Sequence, residues 1–362
     1  MKIAHVFKDA YPPLIAGITR YVHDVAAASV AQGHEVEIIV AGVKRTRRDV
    51  MADGTVILRC GEWARALSMP LSPRLVSEVR AASADVLHVH MPNPIGELGV
   101  VLRRPGTAVV ASLHAQLGRQ QVLEGAYRPL RSALLRRAST VLVASEPMMK
   151  VPELAGFAEK TKILPYGVSP GLIARRNPSR DDSALRALFV GRLVYYKGLD
   201  ILFDALEQLP DVRLTVVGEG PSRDDVERRA RVLGGRVTLA GRLSDADLGQ
   251  AYATHDVLVL PSVSRAEAFG LAATEAMANG LPVVSTALGT GTDWVNRDGV
   301  TGYVVAPGDA HALADALRRL ESEPETRRRL GEAGMARAAE TFSFVRHVKA
   351  LHQVYGEAVG RG

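Results

Sequence analysis

Residues 256–286 read DVLVLPSVSRAEAFGLAATEAMANGLPVVST. Val257, Leu258, Val259 and Leu260 form an apolar run suited to a strand buried on both faces. A proline and a polar turn follow. Residues 271–279 then carry the small and apolar side chains of a packed helix, closed by Gly280. Residues 282–286, PVVST, carry two adjacent valines and a β-branched threonine and predict the next strand. A helix between two such strands is the connection that parallel neighbours require. The segment therefore predicts an α/β protein with parallel sheets.

The same alternation runs outward along the 362-residue chain. Upstream, strands are predicted at 186–190, 212–217 and 236–240, with helices at 199–208, 223–233 and 245–255. Downstream, residues 302–305 read as a strand. The first half predicts strands at 2–7, 35–40, 56–60, 85–90, 108–114, 140–145 and 161–165. Ile18, Val22, Val25, Ala26, Ser29 and Val30 fall at helical spacing and stop at Gly33. Residues 170–183, PGLIARRNPSRDDS, have no apolar period and read as a linker. The expected division is a domain at 1–169, a linker at 170–185 and a domain at 186–343. A closing helix at 344–362 is expected to pack back toward the first domain.

Composition excludes several classes. Hydrophobic residues at 47% and charged residues at 23% rule out disorder for most of the chain. Charge-free stretches such as 25–33 fall well short of the roughly 20 apolar residues of a membrane span. MKIAHVFKDAYPP lacks the apolar core and cleavage site of a signal peptide. A single cysteine, Cys60, excludes an internal disulfide and zinc sites built on several thiolates, so a cytoplasmic location is expected. The net charge of +6 favours an anionic partner: nucleic acid, an anionic membrane face or a phosphate-bearing small molecule. Scattered basic residues and only 5% aromatics argue against nucleic acid.

Glu267 and Glu275 flank Phe269-Gly270-Leu271, which opens the helix. Free N–H groups and the dipole at that start form an anion site, and Gly270 lets a ligand approach the backbone. Glu267 can accept from sugar hydroxyls and Glu275 from a ribose diol. Taken alone, the two glutamates read better as solvated helix-start residues favoured by the dipole. A second block, FVGRLVYYKG at 189–198, places Arg192 and Lys197 after a strand. Arg192 can grip a phosphate in bidentate fashion, and Lys197 adds a compact charge. One such cation would read as a partner of surface carboxylates. Two, in the same domain as an anion site, fit a diphosphate better.

With these motifs assembled, the sequence resembles the retaining GT-B glycosyltransferases of family 4, which transfer a sugar from a nucleotide-sugar donor. The resemblance rests on E-x7-E with its internal FGL, on G-R-x4-K-G at 191–198 and on LPYGV at 164–168. VVGEGP at 216–221, VLVLPS before the glutamates and the closing FSFVRHVKALHQVYGEA extend it over nearly the whole chain. It implies two Rossmann-like domains facing across a cleft, the first on the acceptor side and the second binding the nucleotide sugar. It implies transfer of a hexose or deoxyhexose, with retention, from a GDP- or UDP-linked donor. The acceptor it implies is a hydroxyl on a lipid-linked glycan or a small molecule. Peripheral contact with an anionic membrane, at its inner face, goes with such acceptors.

Roles follow from the resemblance residue by residue. Arg192 and Lys197 would hold the diphosphate and stabilise the leaving-group charge. The backbone of Phe269, Gly270 and Leu271 would contact sugar and phosphate, Glu267 the transferred sugar and Glu275 the ribose. His114 would touch the reacting sugar; without the resemblance it reads as a satisfied strand-end histidine. Gly17 matches one of two glycines in a loop near the diphosphate, and Ala16 departs from the other. Residues 89–98, 113–130 and 289–301 are similar to bacterial mannosyl- and rhamnosyltransferases of surface polysaccharide pathways, with Asp293 where a smaller residue is usual.

No cofactor and no metal are expected. Asp245-Ala246-Asp247 has a metal-diphosphate spacing, but Ser244 before it reads as a helix cap. Arg128, Arg131, Arg136 and Arg137 offer a basic helix face for a membrane, or simply a solvated one. Alternatives on the same scaffold are a sugar-nucleotide epimerase or hydrolase, or a non-catalytic nucleotide-sugar-binding protein.

Overall fold

The computed structural model describes residues 1–12, 17–66, 69–115, 121–174 and 184–360, and divides into two units. One comprises Met1–Pro165 with Val345–Gly362, the other Tyr166–Phe344. The first unit begins with β1 (Lys2–Val6), β2 (Glu35–Val43), β3 (Arg47–Val50) and β4 (Val56–Gly61). A small antiparallel ribbon, β5 (Ala64–Ala66) and β6 (Met69–Leu71), follows. Then come β7 (Val86–Met91), β8 (Ala108–Leu113), β9 (Thr140–Val143) and β10 (Thr161–Ile163). Eight of these make one sheet in the order β10-β9-β8-β7-β1-β2-β4-β3, parallel except where β3 pairs with β4.

The second unit is a six-stranded parallel sheet. Its strands are β11 (Arg186–Val190), β12 (Arg213–Val217), β13 (Val237–Gly241), β14 (Val257–Leu260), β15 (Val283–Thr286) and β16 (Gly302–Val305). The order is β13-β12-β11-β14-β15-β16. Every residue of β7, β8, β14 and β15 is buried, as helices on both faces demand. Phe189, Leu202, Phe203, Leu214 and Leu317 pack one core, and Ile39, Leu75, Leu87, Val109 and Leu134 another. Each such side chain contributes roughly 1.5–3 kcal/mol by leaving water.

Both sheets reverse strand order at one place: β1 beside β7 in the first, β11 beside β14 in the second. Crevices outside the carboxyl ends of strands at such reversals are where open α/β sheets bind ligands. The Arg192 block follows β11 and the Glu267 block follows β14.

The segment read as a linker is partly built into the second unit. Pro170–Leu172 is a short 3-10 turn with Leu172 buried, and the Asn279 amide donates to the Leu172 carbonyl. Residues 175–183 lie outside the described residues. The closing helix, Phe344–Val359, lies almost wholly within the first unit. Tyr355 O–H sits 2.7 Å from His88 Nδ1, and His347 Nε2 lies 2.9 Å from Tyr21 O–H.

Candidate active site

In the second unit the two sequence blocks are locked together by backbone. Val263 N–H donates to the Tyr196 carbonyl at 2.8 Å. Gly198 has φ +67°, and a Cβ there would lie 2.0 Å from the Pro261 carbonyl oxygen. Only glycine allows that approach, and it carries Lys197 to Glu267. The Lys197 ammonium donates to Glu267 Oε2 at 2.5 Å, and Ser262 O–H donates to the same oxygen at 3.0 Å. Burial disfavours the Lys197 charge, but the adjacent Glu267 carboxylate outweighs it and holds the pKa above the usual lysine value. The pair is thus an ion pair at neutral pH.

Beside it, Gly270 caps the helix Leu271–Ala278 with φ +79° and no side-chain cap, which leaves the leading N–H groups without a side-chain acceptor among the described residues. Phe269 is buried against Tyr166, Trp294 and Phe342, which fixes the approach to the helix. Glu275, two turns on from Glu267, accepts from Tyr252 O–H at 2.6 Å. Arg192 is exposed and makes no ion pair among the described residues. Arg192, Lys197, Glu267 and the helix start therefore belong to one switch-point cluster. Glu275 extends it along the helix.

Asp293 is occupied by structure. Its carboxylate accepts from the Leu288 and Gly289 N–H groups at 3.1 and 2.7 Å, closing the turn that precedes the short helix Gly291–Val295. Asp247 is likewise engaged: Ser244 O–H donates to its carboxylate at 2.6 Å while its own N–H donates to Ser244 Oγ. That reciprocal cap accounts for Asp247, and Asp245 stands in the first turn of the same helix, where the dipole favours an acidic side chain.

His114 and Gly17 belong to the first unit. Gly17 opens the helix Gly17–Ala31 and is exposed, and Ala16 lies outside the described residues. His114 follows β8 and is buried, with its Nε2 2.8 Å from His90 Nδ1. His90 Nε2 in turn lies 3.0 Å from His5 Nδ1. His88 spans Tyr355 and Ser112, each at 2.7 Å. Burial drives the pKa of His5 and of His114 down to about 3 and those of His88 and His90 well below the usual range. Sequence reasoning singled out His114 alone. The signal for the others was the alternation His88-x-His90 in one strand, in step with Ser112-x-His114 in the next.

The basic helix face is not wholly a solvated stripe. Arg131 is buried over the Tyr127 ring, and Arg137 donates to the carbonyls of Val101, Arg103 and Arg104. Among the described residues no helix is long and apolar enough to cross a membrane.

The chain matches the family described as Glycosyl transferases group 1 over residues 173–337 and Glycosyltransferase Family 4 over residues 15–172. It is 31% identical to the D-rhamnosyltransferase WbpZ of Pseudomonas aeruginosa, over 95% of this chain and 92% of that one. It is 28% identical to the O-antigen chain mannosyltransferase C of Escherichia coli, over 98% of each. An Anabaena protein, HepE, solved with UDP and glucose, shares the fold at a TM-score of 0.80 and 20% identity, over 98% of this chain and 99% of that one. The chain belongs to the family 4, group 1 glycosyltransferases and has their GT-B fold of two Rossmann-like domains. It is an enzyme that moves a sugar from a nucleotide-sugar donor to an acceptor.

Proposed function

We propose that the donor is a GDP- or UDP-linked hexose or deoxyhexose and that transfer to a hydroxyl acceptor retains configuration. The observation that carries this reading is the Lys197–Glu267 pair beside an uncapped helix start and an exposed Arg192. Arg192, Lys197 and the helix N–H groups would meet the charge that develops on the departing diphosphate, usually the largest single contribution to catalysis. Glu267 would orient the transferred sugar through its hydroxyls, Glu275 the ribose, and Phe269, Gly270 and Leu271 would supply backbone contacts. His114 and Gly17 would serve from the first unit. The mannosyl and D-rhamnosyl names of the two relatives support a manno-configured sugar, and the O-antigen name supports a lipid-linked glycan acceptor at the inner membrane face.

Among the described residues Glu267 is the carboxylate that lies beside the helix start, and it is bound to Lys197 and Ser262. The reading is therefore same-face attack, with the acceptor hydroxyl losing its proton to the leaving phosphate. A glycosyl adduct trapped on Glu267 would overturn it. Since cations meet the diphosphate, turnover is expected to survive EDTA.

A thermal-shift panel of nucleoside diphosphates and their sugars tests the donor site, with Arg192→Ala and Glu275→Ala as controls. A ligand bound only by the folded state raises the melting temperature with its occupancy. One nucleotide should stand out and lose its effect in both variants. No shift with any nucleotide in folded protein would sink this assignment. Donor turnover without acceptor would favour an epimerase or hydrolase instead.

A further inference from the structure

Alternate residues of a strand share a face. His5 is in register with His88, and His90 with Ser112, two residues before His114. One face of three adjacent strands therefore carries a row of imidazoles running to the end of β8. The rings meet edge to edge. Adjacent pairs lie within 15° and 10° of parallel, with centroids 5.3 and 5.1 Å apart, which is too far for face stacking.

Burial keeps all three of His5, His90 and His114 neutral. A neutral imidazole has one N–H and one bare nitrogen, and each link between rings consumes one of each. One choice at either end then fixes all three tautomers. His5 Nε2 is buried with no hydrogen-bond partner among the described residues. Buried N–H groups without an acceptor are rarer in proteins than acceptors without a donor. His5 Nε2 is accordingly the bare nitrogen, so His5 Nδ1–H donates to His90 Nε2 and His90 Nδ1–H donates to His114 Nε2.

We propose that His5 and His90 are positioning residues that hold His114 in its Nδ1–H tautomer, making it a hydrogen-bond donor at the carboxyl end of β8. In the reaction proposed above, that N–H would serve an oxygen of the reacting sugar; this use rests on that reading, whereas the tautomer does not. A metal ion is the competing explanation, since ligand atoms of His5, His88 and His90 lie within 4.8 Å of one another. It would need a bare nitrogen from each ring. Both nitrogens of His88 are committed to Tyr355 and Ser112, and both of His90 to its neighbours.

Long-range proton–nitrogen correlation spectra of the full-length, 15N-labelled protein at neutral pH read each tautomer directly. His5, His90 and His114 are expected as Nδ1–H. In His90→Asn the amide N–H replaces the Nδ1–H donor, and His114 should stay as it is. In His90→Phe, His114 should pass to a mixture that includes Nε2–H. Its kcat should fall at least about tenfold with little change in donor KM, as a mis-set tautomer does in other enzymes, and His90→Asn should retain most of it. A wild-type spectrum with the proton on Nε2 of His5 or His114 overturns the proposal and requires no variant to fold. So does a His90→Phe spectrum in which His114 remains wholly Nδ1–H. Protein that shows the coupled tautomers but transfers no sugar would instead count against the functional reading alone.

Discussion

Lys197 and Glu267 are 70 residues apart in sequence and joined at 2.5 Å, with only 12% and 10% of their side chains exposed. Each is the other's counter-ion, so removing one strands a buried charge. Lys197→Met should cost about 3–5 kcal/mol of stability, and adding Glu267→Gln should recover much of it. Donor turnover should be low in both variants. Denaturant unfolding of the single and double variants measures the coupling; simple additivity would show the two groups to be independent.

Gly198→Ala should be more damaging than its size suggests. The new methyl would meet a backbone carbonyl at 2.0 Å, at a φ of +67° that alanine resists. A loss of more than about 2 kcal/mol is expected, together with a weakened nucleotide-induced thermal shift. A variant that melts and binds as the parent does would show that the two segments can part without cost.

Tyr252→Phe removes the donor that orients Glu275 while leaving the carboxylate in place. Loss of a hydrogen bond to a charged acceptor costs about 1.5–3 kcal/mol. Donor KM should rise several-fold with kcat nearly kept, whereas Glu275→Ala should abolish the thermal shift. Equal effects of the two changes would place Glu275 outside the nucleotide contacts.

Acid should loosen the first unit. Burial lowers the pKa of His347 and of His352 to about 4, and of His5 and His114 to about 3, from 6.5 in the unfolded chain. Below 6.5 the unfolded state takes up protons that the folded state refuses, so stability falls with pH and goes on falling toward 3–4. Above 6.5 these groups add no slope. Unfolding followed from neutral to mildly acid pH checks the sign, and His347→Gln should flatten the curve.

The parallel sheets were legible because strands covered on both faces are largely apolar, as residues 257–260 are throughout and Val283 and Val284 are in the next strand. Edge elements were not. β3, with the sequence RRDV, is mostly exposed and antiparallel, and it carries the charges that protect an edge instead of an apolar pattern. The β5–β6 ribbon, ARA and MPL, has only three residues to a strand, too few for a period to show. Arg192, Lys197, Glu267 and Glu275 could be picked out as types at spacings, but not the bond between Lys197 and Glu267. That bond depends on how closely Gly198 passes Pro261, a tertiary distance that no local pattern encodes. The histidine row was available in the alternation of β7 and β8, yet it needed the strand register to become a row.

The closing helix gives the chain an unusual order of completion. Val168 N–H donates to the Phe342 carbonyl at 2.8 Å, so the second unit begins and ends at one spot. It is spliced into the first unit like an insert. When Phe344 is added, every residue of the second unit has been synthesised, while Tyr21 and His88 still await His347 and Tyr355. The unit that is synthesised first is therefore the last to be finished, and a chain cut just after Phe344 would injure the unit built from residues 1–165.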